Sequence, residues 1–325
     1  MATIVEMINP LTGLPEQVDK LDHTAQEIDD AVDLAPQISN PNLLDNWYFG
    51  NPVNQRGQAS YTGVGYGIDR WYGSSLASIT LESDGVLFVK RGDGTPVITT
   101  PLEKERFVNG YYTISFCYYV DNKLELLKDT FYLTVGDTID TNNLNVGGSW
   151  YADFYAGSQE LSNGIYQLRF YNPSGAIGDS CKLVAIKLEL GYQQTLAHQD
   201  ENGNWVLNEI PDYSEQLRRC QRYFWRSWTG DKNTNNSILG VVFGTNNRIT
   251  GFDYPVEMRT KPSITVYGLT GAGKVTDWVS DTDYSPAYPS YWDTQRCVTL
   301  ACDGAGLSND NRVYYFIEAN AEFLD

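Results

Sequence analysis

Between Asn42 and Gly191 apolar and polar residues alternate in short runs, each closed by a Gly- or Asn-rich turn. Period-two alternation puts every second side chain on one face, and a run that buries such a face does so as a β-strand. In SITLESDGVLFVK, Ile79 and Leu81 precede an Asp84-Gly85 turn and Val86 and Phe88 follow it, which is a hairpin signal. YYTISFCYYV alternates Tyr112, Ile114, Phe116 and Tyr118, while TFYLTV, IYQLRFYN and CKLVAIKLEL supply further strands. Many short strands between such turns imply a two-sheet sandwich or jelly roll. The pattern resumes in SILGVVFG, PSITVYG, QRCVTLAC and RVYYFIEANAEF, so a second, C-terminal β-sandwich is expected. The expected fold class is mainly β.

Rings dominate the apolar share, with 23 Tyr, 12 Phe and 8 Trp against 3 Met, and rings among β-branched neighbours suit a half-buried pleated surface. At 325 residues there is chain enough for two domains with their own cores and an appendage. The formal charge of −18 repels phosphate backbones and anionic membrane surfaces, so neither nucleic acid nor a membrane is an expected partner. No apolar run is long enough to span a bilayer, and MATIVEMINPL lacks the basic start and apolar centre of a signal peptide. The expectation is a chain folded in a cytoplasm that stays there or leaves by a route other than secretion. Five cysteines without a CxxC spacing make neither a disulfide framework nor a zinc site, and read as small hydrophobes kept reduced.

Residues 1–40 differ from the rest, carrying eight acids and one base. In LPEQVDKLDHTAQEIDDAVDLAP, the residues Val18, Leu21, Ala25, Ile28, Val32 and Ala35 follow alternating spacings of three and four, a seam of coiled-coil type. Pro15 suits the first turn of such a helix and Pro36 stops it. A rival reading splits the helix at Thr24, with Glu27 completing a capping box. Either way a short apolar stripe needs partner copies or a docking surface, which includes the chain's own second domain. The expected organisation is an attachment or oligomerisation helix in 1–40, a jelly roll in 41–192, a linker in 193–211 and a C-terminal β domain in 212–325. SEQLRRCQRYF, within the last of these, reads as one or two helical turns.

The stretches NPVNQRG (51–57), YGIDRWYG (66–73), IKLELG (186–191) and LRRCQRYF (217–224), in this order, resemble phage and prophage virion appendages. These are tail or head fibres with a jelly roll like that of carbohydrate-binding modules. LDHTAQEIDDAV similarly looks like the short attachment helix of many fibre proteins. The resemblance covers nearly the whole chain. It implies a homotrimer on the virion, held to capsid or tail proteins by its N-terminal end, with the C-terminal domain outward. It also implies that Asp69-Arg70-Trp71 is a structural step, Trp71 filling the space between sheets and the Asp-Arg pair fixing an edge.

Reactive groups are scarce. GLTGAGKVT (268–276) matches G-x-x-x-x-G-K, but Val275 stands where a P-loop needs Ser or Thr, and no helix follows, so a β-turn is expected. Two histidines, His23 and His198, leave almost no material for a triad or a multi-histidine metal site. Neither a cofactor nor a metal is expected; Asp281 and Asp283 are too few to define a calcium site. Glycoside hydrolysis needs only two carboxylates, but nothing singles out a pair.

Binding has more to build on. TDWVSDTDYSPAYPSYWDTQ (276–295) sets Trp278, Tyr284, Tyr288, Tyr291 and Trp292 among carboxylates that include Asp281 and Asp283, with prolines that stiffen it. Sugars have an apolar face that stacks on rings and hydroxyls that bond to carboxylates, so this loop suits glycans. Alternatively its rings cover a trimer axis or a sheet end. SWYADFY, with Trp150, Tyr151, Asp153 and Tyr155, reads as core packing.

Three functions follow in order: a trimeric, non-enzymatic fibre that binds host surface polysaccharide, a structural head fibre or decoration protein without a specific ligand, and a glycan depolymerase.

Overall fold

The computed structural model describes the backbone of Ile4–Ile8 and Pro15–Asp19, and residues 40–324 except 245, 246, 291, 292 and 305. Two compact units result, Met1–Asn40 and Pro41–Asp325. In the first, Ile4–Ile8 and Pro15–Asp19 pair as an antiparallel hairpin with Val5 opposite Val18. Val18 therefore belongs to a strand and not to the expected helical seam, and Pro15 opens that strand rather than a helix. Pro is tolerated at the first position of a strand. Leu21, Ala25, Ile28, Val32 and Ala35 lie outside the described residues.

The second unit is mainly β, as expected, and begins with a sandwich. One sheet runs in the order Lys123–Leu133, Gly110–Val120, Ser180–Leu190, Gly85–Lys90, Ala77–Glu82, Ser60–Thr62. The other is built on Trp150–Ala156, Ile165–Tyr171 and Val97–Glu103, all antiparallel. The hairpin read from the sequence forms with Glu82 opposite Gly85, and Ile79, Val86 and Phe88 point inward. Rings from both sheets meet between them: Phe88 touches Phe170 at 5.4 Å and Trp150 at 6.2 Å, and Phe116 meets Phe170 edge-on at 5.7 Å. Trp150 is in this core, as expected, and Asp153 is held at the rim by two bonds from Arg169 at 2.8 and 2.6 Å.

The stretch 193–211 is not an open linker. Ala197–Gln199 and Trp205–Leu207 pair as a hairpin, with Leu196 and Ala197 buried in the sandwich core. It also brings partners to two buried charges on the strand Ser180–Leu190. Lys187 Nζ donates to Thr195 Oγ1 at 2.8 Å and Glu209 Oε1 at 3.2 Å, while Glu189 accepts from the Thr195 backbone at 2.7 Å. Buried charges persist only when bonded in this way. A helix follows, Tyr213–Gln221, capped by Asp212, whose carboxylate accepts from Glu215 N at 2.9 Å.

The C-terminal module is organised around Arg312–Asn320, which pairs antiparallel with Phe224–Arg226, Ser263–Tyr267, Val275–Asp277 and Ile238–Phe243. The sheet continues through Arg248–Asp253 and Cys297–Cys302 to Ala287–Pro289. It encloses a second core, with Trp225 stacked on Phe252 at 5.1 Å.

The junction of the modules is where Asp69-Arg70-Trp71 lies. Trp71 fills the first core, as expected, and its indole N–H donates to Asn46 O at 3.1 Å. Asp69 and Arg70, however, do not fix an edge as a pair. Asp69 accepts from Gln55 Nε2 at 2.6 Å and lies 3.3 Å from Arg56, and Gln55 Nε2 also donates to Phe224 O at 2.6 Å. Arg70, at φ 71°, turns the other way. Its guanidinium lies 3.5 Å over the Tyr223 ring, bonds Pro101 O at 2.5 Å and pairs with the buried Glu322. The step is a turn with Arg70 in the left-handed region, so the two side chains leave in different directions and each charge finds its partner elsewhere.

Candidate functional site

The loop 276–295 begins where Val275–Asp277 leaves the central strand. Asp277 shapes the first turn: its carboxylate accepts from Val279 N at 3.0 Å, Ser280 N at 2.9 Å and Asn311 Nδ2 at 3.1 Å. Burial raises this carboxyl's pKa, but those bonds more than reverse it and hold it below the usual range. The turn pushes Trp278 outward, half exposed, with its ring edge-on to Tyr314 at 6.2 Å. Asp281 takes φ 53° and accepts a hydrogen bond from the Tyr314 hydroxyl. Burial, together with this neighbour, pushes the Tyr314 phenol up to about 12.

The remaining residues part company with these. Asp283 accepts from the Thr270 and Thr276 hydroxyls and lies 3.7 Å from Lys274 Nζ. That network pins the GLTGAGKVT turn, in which Gly273 N donates to Val266 O at 2.7 Å, and a strand follows where a P-loop requires a helix. Tyr284 packs against the second core and is partly buried. Asp283 and Tyr284 are thus structural. Tyr291 and Trp292 lie outside the described residues. Among the described residues no three His, Cys, Asp or Glu side chains are placed to hold a metal ion.

Tyr288 sits differently. It is 39% exposed, its hydroxyl donates to Asp303 Oδ2 at 2.8 Å, and it lines a cleft of about 490 Å³. Arg248, Lys261, Ser290 and Asp293 line the same cleft. Lys261 Nζ lies 3.0 Å from Asp293, and Ser290 Oγ is buried without a hydrogen-bond partner among the described residues. A concavity of this size takes a small organic ligand, and its ring, ammonium, guanidinium, carboxylate and hydroxyl offer stacking together with donors and acceptors.

Reading the sequence located Tyr288 but missed Arg248 and Lys261. They approach from a strand and a loop separated from Tyr288 in the chain, and no local spacing marks them. Asp293 was visible only as one acid of the loop. The five cysteines are free, and burial pushes the Cys117 thiol up to about 12, which leaves it inert at neutral pH. No protein-family model, no curated protein and no solved structure matches the chain.

Proposed function

We propose that the chain is a non-enzymatic appendage protein of a phage particle, trimeric, attached through residues 1–40 and binding host surface glycan through its C-terminal module. The observation that carries the reading is the cleft beside Tyr288, where a half-exposed ring stands among Arg248, Lys261, Ser290 and Asp293. The faces of a pyranose are apolar and its rim is hydroxylated, which is the pairing this lining answers. Support for the virion setting comes from NPVNQRG, YGIDRWYG, IKLELG and LRRCQRYF, and from the separate compaction of residues 1–40. Three copies on a particle turn weak single sites into useful avidity.

A glycan array probed with the intact chain tests the reading. Binding is expected, and Tyr288→Ala and Lys261→Ala should each reduce it about tenfold or more. A blank array from a chain that still sediments as a trimer would reject glycan binding and leave the structural head-fibre or decoration role. Deleting residues 1–40 should abolish incorporation into particles while trimers persist; unchanged incorporation would remove the attachment role.

A further inference from the structure

A second group of rings lies on the first module, far from the loop that the sequence singled out. Tyr111 of the strand Gly110–Val120 is paired directly with Tyr132 of the strand Lys123–Leu133, so both side chains leave the same face of the sheet. Their rings meet edge-on at 4.9 Å. Tyr192 follows the strand Ser180–Leu190, and its ring centroid is 4.4 Å from that of Tyr111, tilted by 30°. The turn that delivers it is fixed at Gly191, with φ 111°, whose N–H donates to Tyr111 O at 2.7 Å and whose carbonyl accepts from Thr113 Oγ1 at 2.7 Å. A side chain at that φ is strained, so Gly is what lets Tyr192 come back over Tyr111.

These rings are held in place and yet face water: Tyr111, Tyr132 and Tyr192 are 41, 53 and 66% exposed. Beside them on the same face, the hydroxyls of Thr113 and Thr130 lie 3.2 Å apart, so the next residues along the two strands carry hydroxyls and no charge.

We propose that Tyr111, Tyr132 and Tyr192 form a stacking platform for the neutral pyranose units of a polysaccharide. The size of the platform selects this occupant over a second copy of the chain. At about 150–250 Å² per aromatic side chain the exposed part of the platform is roughly 300 Å², well below the about 800 Å² that each partner gives to a stable protein interface. The inference takes its class of ligand from the reading above and places it on the other module, independent of the cleft.

The test is affinity electrophoresis and titration calorimetry of the full chain with cellohexaose, maltoheptaose, chitohexaose and soluble mannan, alongside thermal melts and sedimentation. Tyr132→Ala and Tyr192→Ala are expected to weaken binding of at least one probe about tenfold at unchanged melting temperature, because stacked rings contribute on the order of a kilocalorie each. Tyr132→Phe should retain binding. If Tyr288→Ala abolishes binding and the platform variants do not alter it, this inference fails and the glycan reading stands. If the platform variants lower the sedimenting mass and leave sugar binding unchanged, the occupant is a second copy and the inference fails. Wild-type chain that binds none of the probes would overturn it as well, and a glycan array positive elsewhere would separate that result from failure of the wider reading.

Discussion

A guanidinium held away from water needs acceptors, and Arg70 finds them on both modules: Glu322, with the Tyr223 ring against the guanidinium, in one and Pro101 O in the other, while Asp45 lies 3.7 Å from Nε, too far for a hydrogen bond. Removing it strands Glu322, whose carboxylate has one oxygen on Arg70 and the other without a partner. Arg70→Met should therefore destabilise the protein by about 3–5 kcal/mol, read as a shift in the urea midpoint, and adding Glu322→Leu should recover much of the loss. Asp69 and Asp45 oppose one another in pH. Burial pushes Asp69 up to about 6, against its ordinary value of 3.8, so the folded state keeps a proton that the unfolded state has released. Stability from this group is full below pH about 4 and falls as pH rises to about 6, by on the order of 3 kcal/mol. Burial also acts to raise Asp45, but Arg106, Arg219 and Arg70 more than reverse it and hold it low, so its contribution is lost as pH falls below the usual carboxylate range. Denaturation of Asp69→Asn between pH 4 and 6 should accordingly show a flatter profile than wild type; an unchanged slope would mean that Asp69 is ionised throughout. At this scale the place of Trp71 was legible as what the resemblance implies. The partners of Asp69 and Arg70 were not, because Glu322 is 252 positions from Arg70.

Elements were the most legible level. Alternation with a turn signal marked Ala77–Glu82 and Gly85–Lys90, and the helix Tyr213–Gln221 follows from SEQLRRCQRYF behind a capping Asp. Asp212→Ala should cost about 1 kcal/mol by loss of the cap, measured as a drop in unfolding free energy. Two of the elements that escaped show why. Pro15–Asp19 can be scanned as the start of a helical stripe as easily as a strand, because a five-residue segment satisfies both periods and only its pairing with Ile4–Ile8 decides between them. The hairpin Ala197–Gln199 with Trp205–Leu207 hid behind polar residues that read as a linker. Its apolar content is split between two short runs, Leu196-Ala197 and Trp205-Val206-Leu207, and the flanking Thr195 and Glu209 satisfy Lys187 and Glu189, buried charges that a hydrophobic pattern does not register.

Across the whole of 41–325, two separate cores are joined by ion pairs and by guanidinium groups packed on rings, among them Arg56 at 3.7 Å over Phe224 and Arg70 at 3.5 Å over Tyr223. Two cores so coupled should unfold together. Calorimetry of the full chain is expected to show one endotherm for these modules, and Arg70→Met should divide it into two; two endotherms in the wild type would mean that the junction contributes little. By itself the sequence determined the β class, the positions of most of the longer strands and several of the rings that fill the first core, because each of these depends on local periodicity. Which rings reach water was decided by tertiary structure. Tyr284 and Tyr288 lie four residues apart in one loop, yet one packs on a core and the other lines a cleft with Arg248 and Lys261, while Tyr111, Tyr132 and Tyr192 meet only because three strands bring them to one face. Exposure depends on what else the fold places nearby, and the order of residues along a chain does not carry that information.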